Sequence, residues 1–101
     1  RKKKVNNMKG LKLVRKTITA STAEKFEFDV RGLEFLVKNF NDFPIYVAFE
    51  NTTDTNKMIK IPEQSSQICI MRKSTNPAYA NSDVYVYADT AGEVEIQCIN
   101  Y

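Results

Sequence analysis

The stretch FLVKNFNDFPIYVAFENTTDTNKMIKIP, residues 35–62, decides the fold. Phe35 and Val37 alternate with Leu36 and Lys38. NFNDFP, residues 39–44, is Asn/Asp/Pro turn chemistry. Ile45, Val47 and Phe49 then take one side, with Tyr46 and Ala48 on the other. NTTDTN is a polar loop. KMIKIP supplies Ile59 and Ile61 before Pro62, which cannot donate to a sheet ladder, stops the run. The apolar period is two throughout, which belongs to half-buried strands and not to helices.

Strand signals extend in both directions. LKLVRKTITA (11–20) is rich in β-branched residues but alternates imperfectly, and STAEK punctuates it. KFEFDVRG places Phe26, Phe28 and Val30 against Glu27, Asp29 and Arg31, and Gly32 permits a break. After Pro62 comes QICIM, where Cys69 stands between Ile68 and Ile70 and is read as pointing away from them and from the core. RKSTNPAYANS (72–82) is a polar surface connection. DVYVYAD sets Val84, Val86 and Ala88 against Tyr85 and Tyr87. EVEIQCI ends the chain with Val94, Ile96 and Cys98 inward. About eight short strands at intervals of about 8–12 residues predict an all-β chain folded as an antiparallel β-sandwich. Jelly-roll, immunoglobulin-like and barrel strand orders all satisfy this pattern. No interior helix is expected.

The 101 residues fit one domain, and 27% charged against 43% hydrophobic content fits an ordinary globular chain. No apolar run reaches the about 18 residues of a membrane helix, and the start lacks an apolar stretch of signal-peptide length. The net charge of +3 conceals a division. Arg1, Lys2, Lys3, Lys4, Lys9, Lys12, Arg15 and Lys16 stand in residues 1–16 without one acid. The remaining residues hold all 12 acidic side chains, which outnumber the basic ones there. The expected organisation is a basic N-terminal arm over 1–16, leading into the first strand, and a single sandwich over 17–101. Such asymmetry implies a partner for the arm.

Chemistry is sparse. There is no His, hence neither the commonest general base nor the commonest metal ligand. Glycine-rich phosphate loops and nucleophile elbows are absent. Glu27 with Asp29, and Glu93 with Glu95, share strand faces, which is the ordinary pattern of a solvated face. Asp54 lies in a segment too poor in carboxylates and glycine for a calcium loop. Cys69 and Cys98 have no zinc-like spacing and are read as two reduced, small apolar residues. The expectation is therefore a protein without catalytic, cofactor-binding or metal-binding residues.

What exceeds the needs of a self-contained sandwich is adhesive. Leu36, Tyr46, Cys69, Met71, Tyr85 and Tyr87 are expected to project away from the core. Clustered exposed apolar and aromatic side chains mark interfaces. Arg1, Lys2, Lys3, Lys4, Lys9 and Lys12 join them as candidate contacts from the arm. The arm suits an acidic neighbouring subunit. Phosphate contacts to nucleic acid are a weaker option, because the arm carries no interleaved aromatic residues.

The segments around Val37–Asn39, Ile45–Phe49, Ile61–Pro62 and Val84–Ile96 together resemble the small virion proteins of tailed bacteriophages. In these a V-x-N strand end precedes an I-Y-V-x-F strand, an I-P step and a V-Y-V-x-A…G-E-V-E-I hairpin. The resemblance runs from Phe26 onward and leaves out the arm. It implies a β-sandwich that builds or decorates a virion: a capsid decoration or minor head protein, or a head–tail or tail accessory part. Its partners would be major capsid or neck and tail subunits, with the chain present in multiple copies or as a homo-oligomer. Its location would be the virion, assembled in the host cytoplasm and with no membrane partner. A host-surface or glycan recognition module, using Tyr79, Tyr85 and Tyr87 for stacking, is the competing expectation.

Overall fold

A computed structural model of the chain describes residues 12–71 and 82–101. Eight strands stand among them: β1 (Leu13–Ile18), β2 (Glu24–Glu27), β3 (Glu34–Asn39), β4 (Ile45–Ala48), β5 (Ile59–Ile61), β6 (Ser66–Ile70), β7 (Asp83–Tyr87) and β8 (Gly92–Asn100). They form two antiparallel four-stranded sheets. The first runs β1-β8-β3-β6 and the second β2-β7-β4-β5.

The pairing is nested. The first strand pairs with the last, the second with the seventh, the third with the sixth and the fourth with the fifth. Pairings of β3 with β8 and of β4 with β7 knit the four ribbons into two sheets. Consecutive strands always part company into opposite sheets, except for the β4–β5 hairpin. This is the strand order of a jelly roll, and it excludes the immunoglobulin-like alternative.

The alternating residues of both sheets meet in one core. Ile18, Phe26, Phe35, Val37, Ile45, Val47, Ile61, Val84, Val86, Val94 and Ile96 are fully buried. Phe35 lies at its centre, with its ring 5.2 Å from that of Phe28 and 5.7 Å from that of Phe49. Helical structure among the described residues amounts to one 3-10 turn, Thr55–Lys57. Asp54 caps it, its carboxylate accepting from the Asn56 N–H at 3.1 Å.

Two residues read as outward turn out to be inside. Cys69 is 1% exposed and Met71 8%, and both belong to the core. Ile68 and Ile70 are the residues that project, each 50% exposed. The register of β6 is set by main-chain bonds at both ends of its pairing with β3. Asn39 N–H donates to Ser65 O at 2.9 Å, and Met71 N–H to Leu33 O at 2.9 Å. With ladder geometry fixed there, strand parity leaves no choice for the residues between.

Cys69 and Cys98 are both buried and free. Both point inward, so opposed faces are not what separates them. They flank β3, opposite Phe35 on either side. Two strand spacings put them roughly 9–10 Å apart, beyond the about 7 Å that a disulfide tolerates. Burial pushes the Cys69 thiol up to about 11 and raises that of Cys98. Neither cysteine should be modified by a thiol reagent at neutral pH until the protein is unfolded. Labelling followed by mass spectrometry, with and without denaturant, checks this.

Asn39, 2% exposed, ties one end of the sandwich together. Its Nδ2 donates to Phe43 O at 2.8 Å and to Pro62 O at 3.0 Å, with Ile61 O at 3.4 Å. Its Oδ1 accepts from Asn41 N and from Asn41 Nδ2, each at 3.0 Å. Asn41 passes the connection on: Nδ2 donates to Glu93 O at 2.9 Å, and Oδ1 accepts from Glu93 N at 3.2 Å. Three turns from both sheets are thus joined through two side chains. Gly92 is required beside them, because a Cβ there would collide with the Asn41 amide. Asn39→Ala leaves buried carbonyls without donors and is expected to cost about 2–4 kcal/mol. Denaturant unfolding of the two proteins measures the difference.

Candidate interaction surfaces

Each sheet has an outer face, and the two differ in chemistry. On the second sheet, Val84 and Val86 point inward, so Tyr85 and Tyr87 stand outward; Ile45 and Val47 do the same for Tyr46. Register places Tyr46 directly opposite Tyr87, and Tyr85 opposite Ala48. The three rings occupy neighbouring positions on strands about 4.8 Å apart. All three are half-buried. Lys60 lies beyond Tyr46 on β5, and Lys25 beyond Tyr85 on β2. Tyr87 donates its hydroxyl proton to Asp89 Oδ1 at 3.2 Å. Lys25 contacts Glu27 at 3.3 Å and Asp83 at 3.9 Å. The hydrogen bond to Glu27 and then the charge of Asp83 raise its pKa. The face is an aromatic platform with a cation at two margins, one of them compensated by carboxylates.

On the first sheet the outward positions of β1, β8, β3 and β6 fall into rows. One row reads Arg15, Glu95, Lys38, Ser66, and the next reads Leu13, Gln97, Leu36, Ile68. Glu95 stands outward but is covered: only 5% of it is exposed. Arg15 reaches one oxygen at 3.0 Å and Lys38 the other at 3.1 Å. One carboxylate therefore clamps β1 and β3 to the β8 strand between them. The hydrogen bond from Arg15, then that from Lys38, holds the Glu95 carboxyl below its ordinary 4.5. A folded pKa below the unfolded one means that the clamp stabilises fully above that ordinary value. Its contribution is lost as pH falls through the lower, folded value. Glu95→Gln should accordingly flatten the acid side of the stability curve while lowering stability at neutral pH. Thermal unfolding followed from neutral pH down to about pH 3 reads both effects.

The apolar row is continued by Ile70 on β6 and by Ile99, the extra residue of a bulge where β8 slips against β3 between Glu34 and Phe35. Leu13, Ile68, Ile70 and Ile99 are each at least 40% exposed. Leu33 and Tyr101 are exposed near the same end, where Lys12 Nζ sits 4.5 Å above the Tyr101 ring.

The residues singled out from the sequence therefore divide. Tyr46, Tyr85 and Tyr87 come together on one outer face, Leu36 lies on the opposite one, and Met71 is in the core. Lys12 is half-buried beside Tyr101. Arg1, Lys2, Lys3, Lys4 and Lys9, as well as Tyr79, lie outside the described residues. The exposed apolar side chains that the sequence reading missed include Ile68, Ile70, Leu33, Phe40 and Ile99. For Ile68 and Ile70 the segment itself held no signal, because both of its faces are apolar. Among the described residues no group of three or more His, Cys, Asp or Glu gathers as a metal site, and no helix is long and apolar enough to cross a membrane.

Comparisons of the chain with protein-family models, with curated proteins and with solved structures find no match.

Proposed function

We propose that this chain is a non-enzymatic structural protein of a virion, held in many copies by contacts with neighbouring subunits. The tyrosine platform of the second sheet and the basic arm are its adhesive parts. The observation that carries this reading is the nested jelly-roll order, an architecture used by viral shell subunits. Such a unit has two broad outer faces free for neighbours. The form suggested by the likeness of its strands and turns to phage virion proteins is a capsid decoration or minor head protein of a tailed bacteriophage. A neck or tail accessory part is the other placement.

The polarity of the strands supports the role of the arm. β1 enters the sandwich at the same end from which β8 leaves it, since the two are antiparallel partners. Residues 1–11 thus attach at one end of the roll, while the Asn39 network occupies the other. About 3.3–3.6 Å per extended residue gives such a segment a reach well past its own domain. The body it would meet on a neighbouring copy has an acidic excess.

A second reading rests on the platform itself. Lectins share the jelly-roll architecture, and three neighbouring tyrosines can stack on the faces of sugar rings. Light scattering separates the two. Deletion should stop at residue 11, because Leu13 already belongs to β1. The virion reading expects the intact chain to form species larger than a dimer that weaken with salt and with loss of residues 1–11. It also expects Tyr85→Ala with Tyr87→Ala to weaken assembly by about 2 kcal/mol or more while leaving the fold intact. Assembly unaffected by either change, together with tyrosine-dependent binding to a glycan array, would overturn it in favour of recognition.

A further inference from the structure

Each sheet of a sandwich ends in two strands whose outer main-chain groups face away from the ladder. Natural sheets protect such edges with charge, proline or brevity. Three of the four edges here are protected. β1 carries Arg15 and Lys16. β2, Glu24–Glu27, has three charged residues out of four. β5 is three residues long, holds Lys60 at its middle, and ends at Pro62. The fourth edge, β6, reads SQICI: five residues, no charge, no proline, and no register slip against β3.

The hydrogen-bonding phase of β6 is fixed by its two flanking bonds. Met71 N–H bonds Leu33 O, and Asn39 N–H bonds Ser65 O. In an antiparallel ladder bonded pairs alternate, so positions 65, 67, 69 and 71 bond toward β3. The N–H and C=O groups of Ser66, Ile68 and Ile70 therefore point to the open side. No described residue pairs with them. The side chains of the same three residues project onto the outer face, with Ile68 and Ile70 each half exposed.

We propose that β6 pairs antiparallel with β6 of a second copy about a twofold axis at Ile68, joining two first sheets into one continuous sheet of eight strands. Three features select a second copy as the occupant. The twofold at Ile68 matches Ser66 with Ile70 of the other copy and Ile68 with itself, so all three open positions bond and none is left over. The exposed apolar residues Ile68 and Ile70 meet their own equivalents, and Leu36 lines both sides of the seam. Charge also favours this orientation. Lys38 stands opposite Ser66 and Glu34 opposite Ile70. Antiparallel pairing sets the Lys38 row of one copy in line with the Glu34 row of the other. Parallel pairing would align like with like. A five-residue seam is small, which places the dimer among weak interfaces that gain strength only through repetition in an assembly. The contact uses neither the arm nor the tyrosines, so it stands or falls separately from the virion reading.

Analytical ultracentrifugation of the 101-residue chain tests the proposal, alongside Ile68→Lys, Ile68→Cys and Thr17→Cys. The expected result is a monomer–dimer equilibrium, retained when residues 1–11 are removed, whose midpoint rises at least about tenfold in Ile68→Lys. In Ile68→Cys the two new thiols face each other across a bonded pair, about 5.5 Å between Cα atoms, a gap that a short bifunctional thiol reagent spans. A symmetric cross-link should form with that reagent. It should not form in Thr17→Cys, on the edge guarded by Arg15 and Lys16. The native cysteines stay out of the reaction because both are buried. Circular dichroism verifies that each variant is folded, and Ile70→Lys serves in place of Ile68→Lys if that one is not. A wild-type chain that stays monomeric up to about 1 mM would overturn the proposal. So would a dimer that Ile68→Lys leaves unchanged, or a reagent that links Thr17→Cys as readily as Ile68→Cys.

Discussion

Two amide side chains fix how this sandwich closes. Asn39 lies at the end of an otherwise apolar strand face, where a buried polar group is costly unless every bond is made. Here they are made: to the turn after β3, to the turn after β5, and through Asn41 to the start of β8. Gln64 is drawn into the same arrangement, with a positive φ of 53° and its N–H on Asn41 O at 3.0 Å. A residue other than glycine keeps that conformation only where its surroundings hold it. The turn from β5 to β6 is therefore shaped by an asparagine two strands away. Its shape decides which side chains of β6 face in.

That dependence explains how far the sequence could be read. Seven of the eight strands were legible because period two recurs from Phe26 to Cys98 wherever one face is buried, and β1 was legible from its β-branched residues. The inward sets Ile45/Val47, Val84/Val86 and Val94/Ile96/Cys98 follow directly. β6 was misread because its apolarity is not one-sided: Ile68 and Ile70 outweigh Cys69 on any hydropathy scale, yet Cys69 is the buried one. Nothing within QICIM carries the information. It resides in long-range main-chain bonds to Leu33 and Asn39. Nesting was equally hidden, since alternation says that strands exist and not which of them pair. The tyrosines were legible as outward residues. Their separation from Leu36 onto an opposite face required knowledge of which strands share a sheet.

The outer faces divide work in a way that composition conceals. On the first sheet the polar row is self-satisfied, Glu95 being spent on Arg15 and Lys38, so its remaining capacity for contact is apolar and concentrated toward β6. On the second sheet the contact capacity is aromatic, with polar tips. Two chemically different faces on one small roll offer distinct contacts without an added domain.

Nested pairing also governs the order in which the protein can be made. The β4–β5 hairpin joins strands close in the chain, while β1 must wait for β8, whose first partner residue Gly92 lies more than seventy positions beyond Ile18. Loop closure over that length is slow, and contacts of this range form late. During synthesis β1 therefore emerges before the other described strands and is the last of them to gain its partner. Until β8 follows it, Arg15 and Lys16 stand on an unpaired strand with Lys12 beside it. Like charge on that strand disfavours its pairing with another exposed edge while it waits.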